Sequence, residues 1–366
     1  MRFKKNNLFI VIIYISSFLF ISSTVILPRV IDMEGNLATY VNNLKIVTFI
    51  FNLIIFILFF KLSLKSFTGL FFIGVVLVLS GNITFINIFM YILSMSSLGN
   101  YKKILQGYVF TKLVLFLVVI CLGYYGLNEI YNINDLNREV RYTMGFTNPN
   151  TASMIFFDIA IGLIYLYPNN KKIRMTICIS TFLIYYFTDS RTLLIVVMML
   201  MFMIIIKDRY YFISKKIISN FYFISCGITI LIMFFSNQSI NLILNRRPEI
   251  MNTFVKVNEL NLFGNSIYGL NISVDNSYLR ILYEIGIIYF VIHILLMTAL
   301  MKELFKVKDY LAIKICISIF LYDIFEQFTI AHGSFLIAFI IFFILRKNNF
   351  FESESKRKHE YLYLRT

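Results

Sequence analysis

Leu8–Leu27 reads LFIVIIYISSFLFISSTVIL, and this stretch decides the class of fold. About 20 apolar residues in α-helix span roughly 30 Å, the thickness of a bilayer's hydrocarbon core. Arg2, Lys4 and Lys5 precede the run as in a secretory signal. No small-x-small cleavage pattern follows, so the sequence predicts an uncleaved first span. Similar runs recur along the 366 residues, which are 59% hydrophobic, 14% charged and +0.79 in mean hydropathy. The runs are continuous and do not alternate, which excludes a β-barrel. The expected fold is therefore all-α: a polytopic integral membrane protein of about twelve spans over residues 1–346. A charged tail, 347–366, follows.

Charge orients the spans. The formal charge of +15 lies mostly in short connectors and the tail, the pattern of cytoplasmic loops and not of a nucleic-acid-binding face. Placing both termini in the cytoplasm leaves two larger external loops, about 128–150 and 236–276. The external cations are then Arg29, Arg138, Arg141, Arg191, Arg246, Arg247 and Lys256. All but Lys256 are arginine, which gives permanent, bidentate anion contacts, whereas lysine dominates inside. Lys45, Lys112 and Lys314 fall within spans, close enough to the ends for their charges to snorkel out. The four cysteines lie in apolar runs and read as core thiols, and the three histidines are too dispersed for a metal cluster. No phosphate-binding glycine loop, metal site or cofactor motif is present.

Chemistry concentrates in the external polar segments. The first loop ends in Arg138-x-x-Arg141-Tyr142, then Gly145-Phe146-Thr147-Asn148-Pro149-Asn150 opens the sixth span. Asn-Pro sets an extended-then-turned backbone, Asn150-Thr151 can cap the helix, and Arg138 and Arg141 fall beside its positive end, where anions are favoured. An ordinary loop-to-helix junction has the same features. Asp158, about two turns further in, is expected to face the bundle interior and pair with a loop arginine. Thr188-Asp189-Ser190-Arg191 turns between spans seven and eight. A cation opening a helix opposes the macrodipole, so Arg191 answers to something other than that helix, or the turn is simply solvated.

The second loop holds Arg246-Arg247-Pro248-Glu249 and a short amphipathic helix expected from Pro248 to about Leu260. Val274-Asp275-Asn276 leads into the tenth span, where Arg280 and Glu284 pair at i,i+4. Tyr124, Tyr125, Tyr131 and Tyr142 suit either sugar stacking or an interfacial aromatic belt, in a chain without tryptophan. Arginines, amides and tyrosines suit a pyrophosphate-linked or sugar ligand.

The order of these motifs resembles that of Wzy-type polysaccharide repeat-unit polymerases, within the O-antigen ligase-like membrane glycosyltransferases. The likeness rests on Arg141-x3-Gly145-Phe146-x-Asn148-Pro149-Asn150, on Ser190-Arg191-Thr192, and on Leu262-Phe263-Gly264 followed by Asp275-Asn276-x-Tyr278-Leu279 and Glu284-Ile285-Gly286. The resemblance implies a metal-independent glycosyltransferase without cofactor in a bacterial cytoplasmic membrane. It would join oligosaccharide units carried on undecaprenyl pyrophosphate, with a flippase and a chain-length regulator as partners in the pathway. Arg141 and Arg191 would hold the donor pyrophosphate and Asp275, or Asp189, would take the acceptor's proton. Arg138, Asn148, Asn150, Asp189, Tyr142, Arg246, Arg247 and Arg280 would bind substrate. The related ligases show His-Asn where this chain has Asp275-Asn276. A ligase, a carrier or flippase of lipid-linked oligosaccharide, and a non-catalytic membrane scaffold are the competing readings.

Overall fold

The computed structural model describes residues 2–30, 35–59, 64–125, 141–206, 215–234, 241, 244, 246–265, 274–331 and 334–347. Arg138, Tyr131 and residues 348–366 lie outside them. The described residues are helical and carry no β-strand. In order they form α1 (Arg2–Phe20, continued by a π-turn, Ile21–Ile26, and a 3-10 turn, Leu27–Arg29), α2 (Gly35–Leu58), α3 (Leu64–Leu79), α4 (Ile83–Leu98) and α5 (Tyr101–Tyr124). Next come α6 (Pro149–Leu166), α7 (Lys171–Thr188), α8 (Arg191–Ile205), α9 (Lys215–Ser219), α10 (Phe221–Phe234) and α11 (Arg247–Val257). The last are α12 (Ser277–Arg280, followed by a π-turn, Ile281–Ile285), α13 (Ile287–Val307), α14 (Tyr310–Phe325), α15 (Phe328–Ala331) and α16 (Leu336–Lys347).

Five segments are long and apolar enough to cross a membrane: Asn7–Arg29, Leu37–Leu58, Tyr101–Tyr124, Pro149–Leu166 and Ile287–Val307. The chain is an all-α, multi-pass membrane protein. Ile83–Leu98, Arg191–Ile205 and Phe221–Phe234 are apolar but shorter.

The chain divides into two compact units. The first comprises residues 1–66, 87–198 and 337–366. Its centre is α6, nearly all of whose side chains are buried. Although long and apolar enough to cross a membrane, it is 83% buried, so neighbouring helices and not lipid surround it. Gly107 lets α5 approach α1, since a Cβ there would stand 2.7 Å from Ile13 Cγ2. Buried hydroxyls and amides tie the helices together. Ser16 and Ser94 each donate to Asn52 Oδ1 at 2.7 Å, and Phe20 stacks on Tyr91 with centroids 4.3 Å apart.

Charge in this core departs from expectation. Asp158 is fully buried, but its partner is Lys112 on α5 and not a loop arginine. Lys112 Nζ donates to Asp158 Oδ2 at 2.7 Å and to Tyr108 Oη at 3.1 Å, and Tyr108 donates to the same carboxylate oxygen at 2.8 Å. Snorkelling is overturned for Lys112, which has no exposed surface. A carboxylate one helix away satisfies the ammonium more directly than a reach to the membrane surface. Lys45 is also buried here, and in the second unit so is Lys314, which donates to Ile206 O at 3.1 Å.

The second unit comprises residues 67–86 and 199–336. Tyr222 on α10 is its aromatic hub, meeting Tyr278, Phe320 and His293 edge-on at 5.0–5.2 Å. The expected amphipathic helix is present as α11, with Pro248 in its first turn and Glu249 at its positive end. Its apolar face, Met251 and Phe254, packs on Val274, Leu279 and Tyr283. The tenth apolar segment, continuous in sequence, is broken: the π-turn closes at Gly286, whose φ is +101°, before α13 begins.

Two short motifs explain the break. Leu262-Phe263-Gly264 crosses Glu284-Ile285-Gly286 at backbone distance, with Asn265 N donating to Tyr283 O (2.8 Å) and Ile288 N to Leu262 O (3.2 Å). A Cβ on Gly264 would stand 2.3 Å from Glu284 O, and one on Gly286 2.3 Å from Leu262 O; both glycines have positive φ. Only glycine meets both demands. Gly286→Ala is therefore expected to cost more than the roughly 1–3 kcal/mol of left-handed strain alone, because backbone must also move. A Gly286→Ala variant with an unchanged melting temperature in detergent would contradict the crossing.

Candidate functional site

The external residues singled out from sequence fall in both units, and each group is described by itself. In the first unit, Asn148 is the N-cap of α6, extended at φ −147°, and its Oδ1 accepts from Asn150 N at 2.8 Å. This corrects the expected Asn150-Thr151 cap: Pro149 suits the first helical position, which makes the residue before it the cap. Arg141 does sit at this helix start. Its Nη2 donates to Asn150 Oδ1 at 2.6 Å, and its Nε to Thr188 O, at the end of α7, at 2.7 Å. Arg141 is 8% exposed, so it works here as a brace between two helix ends. Tyr142 N donates to Phe187 O at 2.9 Å, while its ring stays exposed.

The turn between α7 and α8 places Asp189 in the left-handed region (φ +47°) and Arg191 at the first position of α8. Arg191 N donates to Asp189 O at 3.1 Å, while their side chains approach only to 3.7 Å, a weak surface contact. Arg191 is 58% exposed and remains able to meet a ligand.

In the second unit the motif Asp275-Asn276-Ser277-Tyr278 is stapled to the end of α14. Asn276 caps α12 through Leu279 N (2.9 Å) and donates Nδ2 to Ile324 O (2.6 Å). Ser277 Oγ donates to Asp323 Oδ1 at 2.5 Å, and Tyr278 Oη to Phe320 O at 2.7 Å. Asp323 also accepts from Thr329 N and Oγ1, which satisfies a fully buried carboxylate. Three of the four motif side chains are thus spent on packing. Asp275 is not: it is exposed, accepts from Gln327 Nε2 at 3.2 Å, and lines a cavity of about 180 Å³ with Arg247, Ile250, Met251 and Val274.

Arg247 has an internal counter-ion. Its Nη2 lies 2.6 Å from Oε1 of Glu326, which is 1% exposed; Nη1 donates to Phe325 O, and the guanidinium lies 6.0 Å from the Phe325 ring. Burial lowers the proton affinity of Arg247, but Glu326, with Asp275 further off, more than restores it and holds the pKa above its usual value. Arg246 is exposed and in the left-handed region at φ +58°. Arg280 pairs with Glu284 as the i,i+4 spacing predicted, on the segment before Gly286.

Glu326 and Gln327 were not apparent from sequence as site residues. The signal was there: Asp323 and Glu326-Gln327 interrupt the apolar end of α14. No family model, no curated protein and no solved structure matches the chain. Among the described residues, no group of three His, Cys, Asp or Glu is placed to hold a metal ion.

Proposed function

We infer that this chain is a polysaccharide repeat-unit polymerase of the bacterial cytoplasmic membrane. In this reading about twelve spans carry two external loops, both termini are cytoplasmic, and the substrates are oligosaccharides on undecaprenyl pyrophosphate. The observation that carries it is Asp275. It is an exposed carboxylate at a cavity, presented by a motif whose other side chains anchor it rigidly to α14. That is what a general base needs: a fixed position and a free oxygen within reach of a substrate hydroxyl. On the donor side, the delocalised charge of an exposed arginine stabilises a departing pyrophosphate, and Arg246 offers one in the same unit as Asp275. The glycosyl-pyrophosphate bond supplies the energy. A chain-length regulator and a flippase are the partners this role requires.

The test is reconstitution. Purified protein in liposomes, given lipid-linked repeat units, should yield products longer than one unit and release undecaprenyl pyrophosphate. Units returned unextended would refute the assignment.

The buried Lys112–Asp158 pair favours a second reading, transport of lipid-linked oligosaccharide, because carriers place charges inside the bundle. In that case the same liposomes would move the unit across the bilayer without extending it.

A further inference from the structure

The cavity beside α11 contains an arginine, which invites the reading of a pyrophosphate clamp. Its electrostatics point elsewhere. The Arg247 charge is met at 2.6 Å by Glu326, and Nη1 is engaged by a backbone carbonyl. Asp275, which lines the cavity with Arg247, adds a second carboxylate near the guanidinium. One guanidinium against two carboxylates leaves this group net negative, so a dianionic ligand gains little there and is repelled by Asp275.

The remaining lining suits an uncharged ring. Ile250, Met251 and Val274 offer an apolar surface, and Asp275 offers an acceptor. A sugar matches both features, with C–H groups against the apolar side and hydroxyl donors towards the oxygens. About 180 Å³ is below the roughly 300–1,000 Å³ of pockets that enclose a drug-sized ligand, and fits one ring better than an oligosaccharide.

We propose that the Arg247–Asp275 cavity binds a single uncharged sugar residue, with Glu326 cancelling the arginine so that the pyrophosphate is excluded. Assigning that sugar to the acceptor rests on the polymerase reading; the charge of the cavity does not. Glu326 is then a positioning residue, acting through Arg247.

Charge-selective thiol chemistry tests this without turnover. Cys121, Cys178, Cys226 and Cys316 are free and are first replaced, and Ile250→Cys then reports from the cavity lining. Neutral and anionic methanethiosulfonates of similar size are compared. The anionic reagent should react about fivefold more slowly than the neutral one, the effect of one net charge at partly screened range. Asp275→Asn, a change at an exposed position, should bring the two rates together. Glu326→Gln, where it folds, should likewise bring the two rates together, because it too leaves one guanidinium against one carboxylate. The free repeat-unit oligosaccharide should slow the modification, and inorganic pyrophosphate should not.

A faster anionic reagent in the parent protein, protection by pyrophosphate, or protection by neither ligand overturns the proposal. The polymerase reading is judged separately, by polymer length in cells lacking the native chain against cells carrying it. Sugar protection alongside an unaltered polymer would leave the sugar site standing and refute the polymerase.

Discussion

Lys112→Met should nearly abolish folded protein in the membrane. The substitution leaves Asp158 fully buried with only Tyr108 donating to it among the contacts described above, and removing one partner of a buried pair costs roughly 3–5 kcal/mol. That is comparable to a large share of a domain's stability, so the expected result is at least a tenfold drop in monodisperse protein after detergent extraction. The double variant Lys112→Met/Asp158→Leu should restore most of it, because apolar residues of similar size need no counter-charge. Recovery of both folding and surface polymer by the double variant identifies the pair as structural. Recovery of folding with loss of activity would instead favour the transport reading, in which the charges themselves do the work.

Asp275→Asn should abolish polymerisation while leaving the protein folded. The amide keeps the size of the carboxylate but cannot take a proton, and a general base contributes typically 10²–10⁴-fold. The side chain is exposed and its one described hydrogen bond is to Gln327, so the expected change in thermal stability is small. Asn276→Ala makes the contrast. It removes the cap of α12 and the bond to Ile324 O, so it should lower stability and activity together. Equal polymer length with Asp275→Asn and with the parent would remove Asp275 from the chemistry.

Local features were legible in the sequence. Pro248 and Glu249 announced α11, the Arg280–Glu284 spacing announced its ion pair, and Arg191 begins a helix as the Asp189-Ser190 turn suggested. Each depends on residues within one or two turns of one another. What was missed depends on residues distant in sequence. Lys112 and Asp158 are 46 positions apart, and nothing in either apolar run marks the other as its partner. The break at Gly286 was invisible for the same reason. Its cause is the close passage of Leu262-Phe263-Gly264, and the run from Ile281 to Val307 reads as one helix. The motifs carrying the family resemblance have physical roles in the second unit: Gly264 with Gly286 permits a backbone crossing, and Asn276 with Tyr278 fastens the segment bearing Asp275.

The most direct test of the polymerase assignment is a gel of surface polysaccharide from a strain lacking this chain, with and without the chain supplied back. The account predicts single repeat units in place of a ladder, and the ladder restored by the native sequence but not by Asp275→Asn. Long polymer retained on the lipid carrier would mark a ligase, and units trapped on the cytoplasmic side a flippase. An unchanged ladder in the deletion strain would contradict the account.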